Sequence, residues 1–171
     1  AELYHGRTLA FKDLALSLFP YLLTAAKVQE EEKRDILILT ATSGDTGKAA
    51  LEGFKDVNGT NIMVFYPSDG VSPMQKQQMQ KQEGKNVRVS AIHGNFDDAQ
   101  SFLKRVFTSE EVNTYAHDHG VLFSSANSIN IGRLFPQIAY YVSTWVRLVD
   151  NGVIAPDESF DVVVPTGNFG N

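Results

Sequence analysis

Five short apolar runs divide the chain: DILILTA (35–41), NIMVFYP (61–67), NVRVSAI (86–92), VLFSS (121–125) and FDVVVP (160–165). Several are continuous and rich in β-branched residues. Such runs suit strands covered on both faces, whereas half-exposed strands alternate apolar and polar positions. Helical patterns fill the intervals between them. Strand–helix alternation implies right-handed crossovers and a parallel sheet. The expected class is therefore α/β, an open parallel sheet with helices on both faces. A hydrophobic content of 43% is enough for such a core.

The intervening stretches carry start and stop signals. Thr46 to Val57 places Ala49, Ala50, Gly53 and Phe54 on one stripe. Ser72-Pro73-Met74-Gln75 reads as a capping box with proline in the first turn. Asn95 is placed to cap a helix carrying Phe96, Ala99, Phe102, Leu103 and Val106, and Thr108 to Glu111 fits another capping box. Asn130 to Asp150 reads as one long amphipathic helix with Gly152 just past its end. The first helix, Phe11 to about Val28, contains Pro20, where a kink or break is expected. The charged run QEEEKRD (29–35) reads as a solvated loop.

A net charge of −5 argues against a nucleic-acid partner held by bulk positive charge. The absence of cysteine removes disulfides, thiolate catalysis and cysteine-type zinc sites, and fits a reducing, cytoplasmic setting. No apolar run approaches the roughly 20 residues that span a bilayer, so no membrane partner is expected. His117-x-His119 flanks an acidic residue with no third ligand type nearby, so the pair reads as helix surface and no metal site is expected. The chain opens inside a turn-rich motif and stops on a glycine-rich loop directly after an apolar run. It is expected to be a segment of a longer protein.

In open parallel sheets, ligands bind at the carboxyl edge of the strands. Here those ends are rich in small hydrogen-bonding residues. The loop Thr42-Ser43-Gly44-Asp45-Thr46-Gly47 follows a strand and opens a helix, which suits an anion such as a carboxylate; an ordinary capped βα turn accounts for it as well. Ser125 to Arg133 combines amides, hydroxyls and an arginine able to grip a phosphate, or is a helix cap with a surface arginine. Thr166 to Asn171 is glycine-rich and would let backbone approach a phosphate. HGRTLAFKD (5–13) sets Lys12 at the head of an apolar run (Phe11, Leu14, Ala15, Leu16, Leu18, Phe19), where a buried charge is costly.

In combination, HGRTLAFKD, ATSGDTG, YPSDGVSPMQKQQM, HGNFDDAQ, ANSINIGR and VPTGNFGN resemble threonine synthase, of the fold-type II pyridoxal-phosphate family. The matching stretches cover nearly the whole chain in order. Arg7 departs from the proline usual in the family, and Asp45 stands where many relatives have asparagine.

The resemblance implies a tryptophan-synthase-β-like fold with two open α/β domains. Residues 1–133 would form the smaller domain, with about four parallel strands, and residues 134–171 would begin the larger one. Lys12 matches the lysine that forms the Schiff base with pyridoxal 5'-phosphate, and a neutral imine suits its apolar flank. Freed during turnover, its amine would act as acid and base. Phe11 matches a residue beside the cofactor ring. Ser43, Gly44, Asp45 and Thr46 match the loop that holds the substrate α-carboxylate and touches the ring. Gly167, Asn168, Phe169, Gly170 and Asn171 match the cofactor-phosphate loop. Asn127, Ser128 and Arg133 match residues gripping the substrate phosphate. The implied reaction converts O-phospho-L-homoserine and water to L-threonine and phosphate. A phospho-lyase releasing an oxo acid and a non-catalytic phosphate-binding module are the alternatives. The oligomeric state is left open.

Overall fold

The structure, a computed structural model, describes residues 1–164. Its elements run α1 (Asp13–Gln29), β1 (Asp35–Ala41), α2 (Asp45–Phe54), β2 (Thr60–Pro67), α3 (Pro73–Gln80), β3 (Val87–Ile92), α4 (Phe96–Thr108), α5 (Glu110–Asp118), β4 (Val121–Ser124), α6 (Ile131–Leu134), a short 3-10 turn (Phe135–Gln137) and α7 (Ile138–Asp150). The four strands form one sheet in the order β3-β2-β1-β4, every neighbouring pair parallel. This is the expected α/β architecture.

Alternation along the strands sorts the core into two layers, because successive side chains point to opposite faces. Ile36, Ile38, Ile62 and Val64 pack with Leu16 and Phe19 of α1, Ala49, Ala50, Leu51 and Phe54 of α2, and Met79 of α3. Phe19 meets Phe54 edge to face at 5.6 Å between centroids, a favoured aromatic geometry. On the other face Leu39, Ala41 and Phe65 pack with Ala99 and Leu103 of α4. Both faces of the sheet are covered, which explains the continuous apolar runs.

Several local expectations change. Residues 160–164 form no strand, and Val163 is 90% exposed. A strand needs a neighbour for its N–H and C=O groups, and among the described residues none pairs with this run. Pro20 does not break α1; it is fully buried inside an unbroken helix. The stretch from Asn130 is not one helix. Pro136 cannot donate a backbone N–H, and the chain passes from α6 through the 3-10 turn into α7. Gly152 does lie past the end of α7, with φ +66° and its N–H bonded to Val149 O.

The caps hold with adjustments. Asn95 and Asp98 form a reciprocal capping box on α4. Ser109, not Thr108, caps α5 by accepting from Val112 N. Ser72 caps α3 by accepting from Gln75 N at 3.3 Å, while its hydroxyl donates to Gln75 Oε1 at 3.1 Å.

Candidate active site

β1 and β4 are sheet neighbours, so the loops leaving their carboxyl ends lie side by side. Asn127 ties them together: its Nδ2 donates to Ala41 O at 2.8 Å and its Oδ1 accepts from Ala41 N at 3.1 Å. The side chain thus continues the β1–β4 contact past the end of β4, to the last residue of β1.

The β1–α2 loop is shaped by Thr42, which is buried and whose Oγ1 accepts from Gly44 N and Gly47 N, both at 2.9 Å. Gly44 has φ +154°, a backbone conformation that residues with a side chain rarely adopt, so glycine suits this turn. Asp45 then opens α2, its Oδ1 accepting from Thr46 N at 2.8 Å.

Lys12 immediately precedes α1. The preceding turn is held by Asp13, whose carboxylate accepts from Thr8 N at 2.7 Å and Thr8 Oγ1 at 2.5 Å. The Tyr140 hydroxyl donates to Phe11 O, anchoring the peptide before Lys12 to α7. Burial, and the charge of Asp13, push the Tyr140 phenol up to about 12, which keeps it a donor. Lys12 is 4% exposed, and its Nζ donates to Asp45 Oδ2 at 2.5 Å. Burial pulls the Lys12 ammonium below its ordinary pKa; the Asp45 hydrogen bond and charge oppose this, and the Arg133 charge adds to it.

Arg133, in α6, is 3% exposed. Its Nη1 donates to Ala126 O at 3.2 Å, and its Nε has no partner. Burial lowers its pKa and Asp45 raises it. A buried guanidinium with an unused donor is chemically suited to an anion, because leaving such a group unpaired is costly.

A cavity of about 250 Å³ gathers these groups. Lys12, Ser43, Asp45, Thr46, Asn127, Ser128 and Arg133 all line it. Gly44 shapes the loop without lining the cavity, and Ser43 and Ser128 are exposed. Phe11 sits 4.8 Å under Lys12 Nζ but lines a separate cavity of about 690 Å³ with Arg7 and Tyr140. That larger space takes none of the expected substrate residues. Gly167, Asn168, Phe169, Gly170 and Asn171 lie outside the described residues. His117 and His119 are exposed at the end of α5, His119 stacked on Tyr115.

Sequence reasoning missed the contribution of α4. Phe96, Gln100, Leu103, Lys104 and Phe107 also line the Lys12 cavity. The available signal was helical spacing: Gln100 and Lys104 fall on the stripe that joins Phe96 to Phe107. Thr42 and Ser125 were likewise visible only as small polar loop residues.

No protein-family model matches the chain. It is 39% identical over 176 residues to threonine synthase-like 1 of Homo sapiens, covering 99% of this chain and 23% of the relative. It is 40% identical over 170 residues to threonine synthase of Pseudomonas aeruginosa, covering 99% and 34%. A crystal structure of PLP-bound threonine synthase from Brucella melitensis superposes with a TM-score of 0.78 at 40% identity, covering 99% of this chain and 34% of that one. The chain spans about a quarter to a third of the length of the relatives it matches.

Proposed function

The chain is homologous to threonine synthases along nearly its whole length, and from that premise we propose that it carries the lysine and substrate-phosphate part of a pyridoxal-phosphate-dependent threonine synthase site. The reaction is conversion of O-phospho-L-homoserine and water to L-threonine and phosphate. One observation carries the reading: a single cavity collects a buried lysine, a βα loop suited to a carboxylate, and a buried arginine with an unused donor.

The residues fit the cofactor. Lys12 is desolvated, which favours the neutral amine that a carbonyl cofactor needs. Once bound, pyridoxal phosphate supplies the electron sink for charge left at the substrate Cα. Lys12 would hold the cofactor through its carbonyl carbon, and its amine is placed to move the proton at the substrate Cα. Asp45, 2.5 Å from Lys12 Nζ, orients that amine. The turn from Ser43 to Thr46 takes the α-carboxylate at the start of α2, where the helix dipole favours a negative charge. Arg133 and Ser128 take the phosphate, and Asn127 fixes their loop against β1. Gly167, Asn168, Phe169, Gly170 and Asn171 hold the cofactor phosphate. Residues 1–133 form the smaller domain and residues from 134 onward begin the larger one.

The test uses the full-length protein loaded with cofactor. Lys12→Ala is expected to lose the visible absorbance of bound pyridoxal phosphate and to lose turnover, with the fold retained by circular dichroism. Unchanged turnover in that variant would remove Lys12 from the chemistry. A second reading, a phospho-lyase that releases an oxo acid, is favoured by the equally close similarity to threonine synthase-like 1. Product analysis from O-phospho-L-homoserine separates the two: threonine supports the first, an oxo acid the second.

A further inference from the structure

Resting on the reading of this cavity as a phosphomonoester site, we infer that Lys104 of α4 is a specificity-determining residue, a second cation for the substrate phosphate beside Arg133. Lys104 lines the same cavity as Arg133 and Lys12, and it is exposed at that position. Asp45 is the one carboxylate among the lining residues, and it is engaged by Lys12. Among the described residues no carboxylate pairs with Lys104.

The charge balance needs such a group. A phosphate monoester carries about −1.5 to −2 charges near neutral pH. Arg133 supplies one positive charge, and its buried position is already shared with the negative field of Asp45. Lysine binds phosphate as a mobile point charge, which suits a cavity edge where the ligand enters, whereas the rigid, buried arginine fork fixes orientation. Gln100, one turn before Lys104 on the same stripe and half-buried, adds neutral hydrogen-bonding capacity beside it.

The test measures two things on the full-length holoenzyme at low and at high salt: the affinity for inorganic phosphate by calorimetry, and KM and kcat for O-phospho-L-homoserine. Because Lys104 is exposed and screened, Lys104→Gln is expected to weaken phosphate binding and raise KM by roughly two- to fivefold at low salt. The effect should shrink at high salt. Cofactor absorbance should stay unchanged and kcat should change less than KM, and Lys104→Arg should restore most of the affinity. Unchanged phosphate affinity in Lys104→Gln, or a loss equal at both salt concentrations, overturns the proposal. So does a wild-type protein that binds no phosphate. If the wild type binds phosphate but makes neither threonine nor an oxo acid, the functional reading fails, and the calorimetry still decides for or against Lys104.

Discussion

Burial lowers the pKa of Lys12, and Asp45 pulls it back up. The sign of a change at Asp45 follows. Asp45→Asn removes the stabilising negative charge, so the Lys12 pKa falls further and the neutral amine dominates at lower pH. The rate at which the apo full-length protein takes up pyridoxal phosphate should therefore reach its half-maximum at more acidic pH in the variant. A midpoint that stays in place or moves alkaline would show that Asp45 does not set the charge of Lys12. Arg133 permits a second measurement. A charge-assisted contact to a phosphate is worth about 1.5–3 kcal/mol, so Arg133→Ala should weaken O-phospho-L-homoserine binding by roughly ten- to a hundredfold and spare the cofactor absorbance. Equal loss of cofactor and substrate would reassign the arginine to holding the loop through Ala126 O.

At the level of elements, the site depends on how closely α1 meets α2, because α1 follows Lys12 and α2 begins with Asp45. Gly53 makes that approach possible: a Cβ there would lie 2.0 Å from Leu16 O, a backbone atom that cannot swing away. In an exposed helix, glycine to alanine would stabilise by up to about 1 kcal/mol. Here overpacking, typically about 1–3 kcal/mol, outweighs that gain. Gly53→Ala should lower the urea midpoint of unfolding, and a raised midpoint would mean the helices can separate at no cost. Pro20 and Pro136 show the same dependence on context. Buried Pro20 is tolerated within α1, while Pro136 marks the passage from α6 to α7.

At the scale of the whole molecule, α7 is among the helices that leave apolar side chains exposed in the described residues. Ile138, Val142, Trp145 and Val146 lie at helical spacing on α7 and are all exposed, from 37% for Trp145 to 55% for Val142. A contiguous apolar stripe of this kind drives association. The 171-residue chain by itself is expected to self-associate, and Ile138→Gln with Val142→Gln should restore a monodisperse species in light scattering. A monodisperse unmutated chain would show that the stripe is not sticky. No helix among the described residues is long and apolar enough to cross a membrane.

The four paired strands, both core layers and the caps at Ser72 and Asn95 were legible in the sequence, because periodicity and capping are local and each residue reports its own environment. Lys12, Asp45 and Arg133 stood out in the sequence as motif residues, and the structure brings them to one cavity. Pairing was not. FDVVVP has the composition of a strand, but a strand exists only where another backbone completes its ladder. The burial of Pro20 and the change from helix to 3-10 turn near Pro136 likewise depend on what packs nearby. Only tertiary structure set β4 beside β1, let Asn127 bridge their ends at Ala41, and turned one stripe of α4 into the cavity wall that carries Lys104. The physical reason is that these contacts join residues far apart in the chain, from Lys12 to Asp45 and from Ala41 to Asn127, and no local pattern encodes which distant partner will arrive.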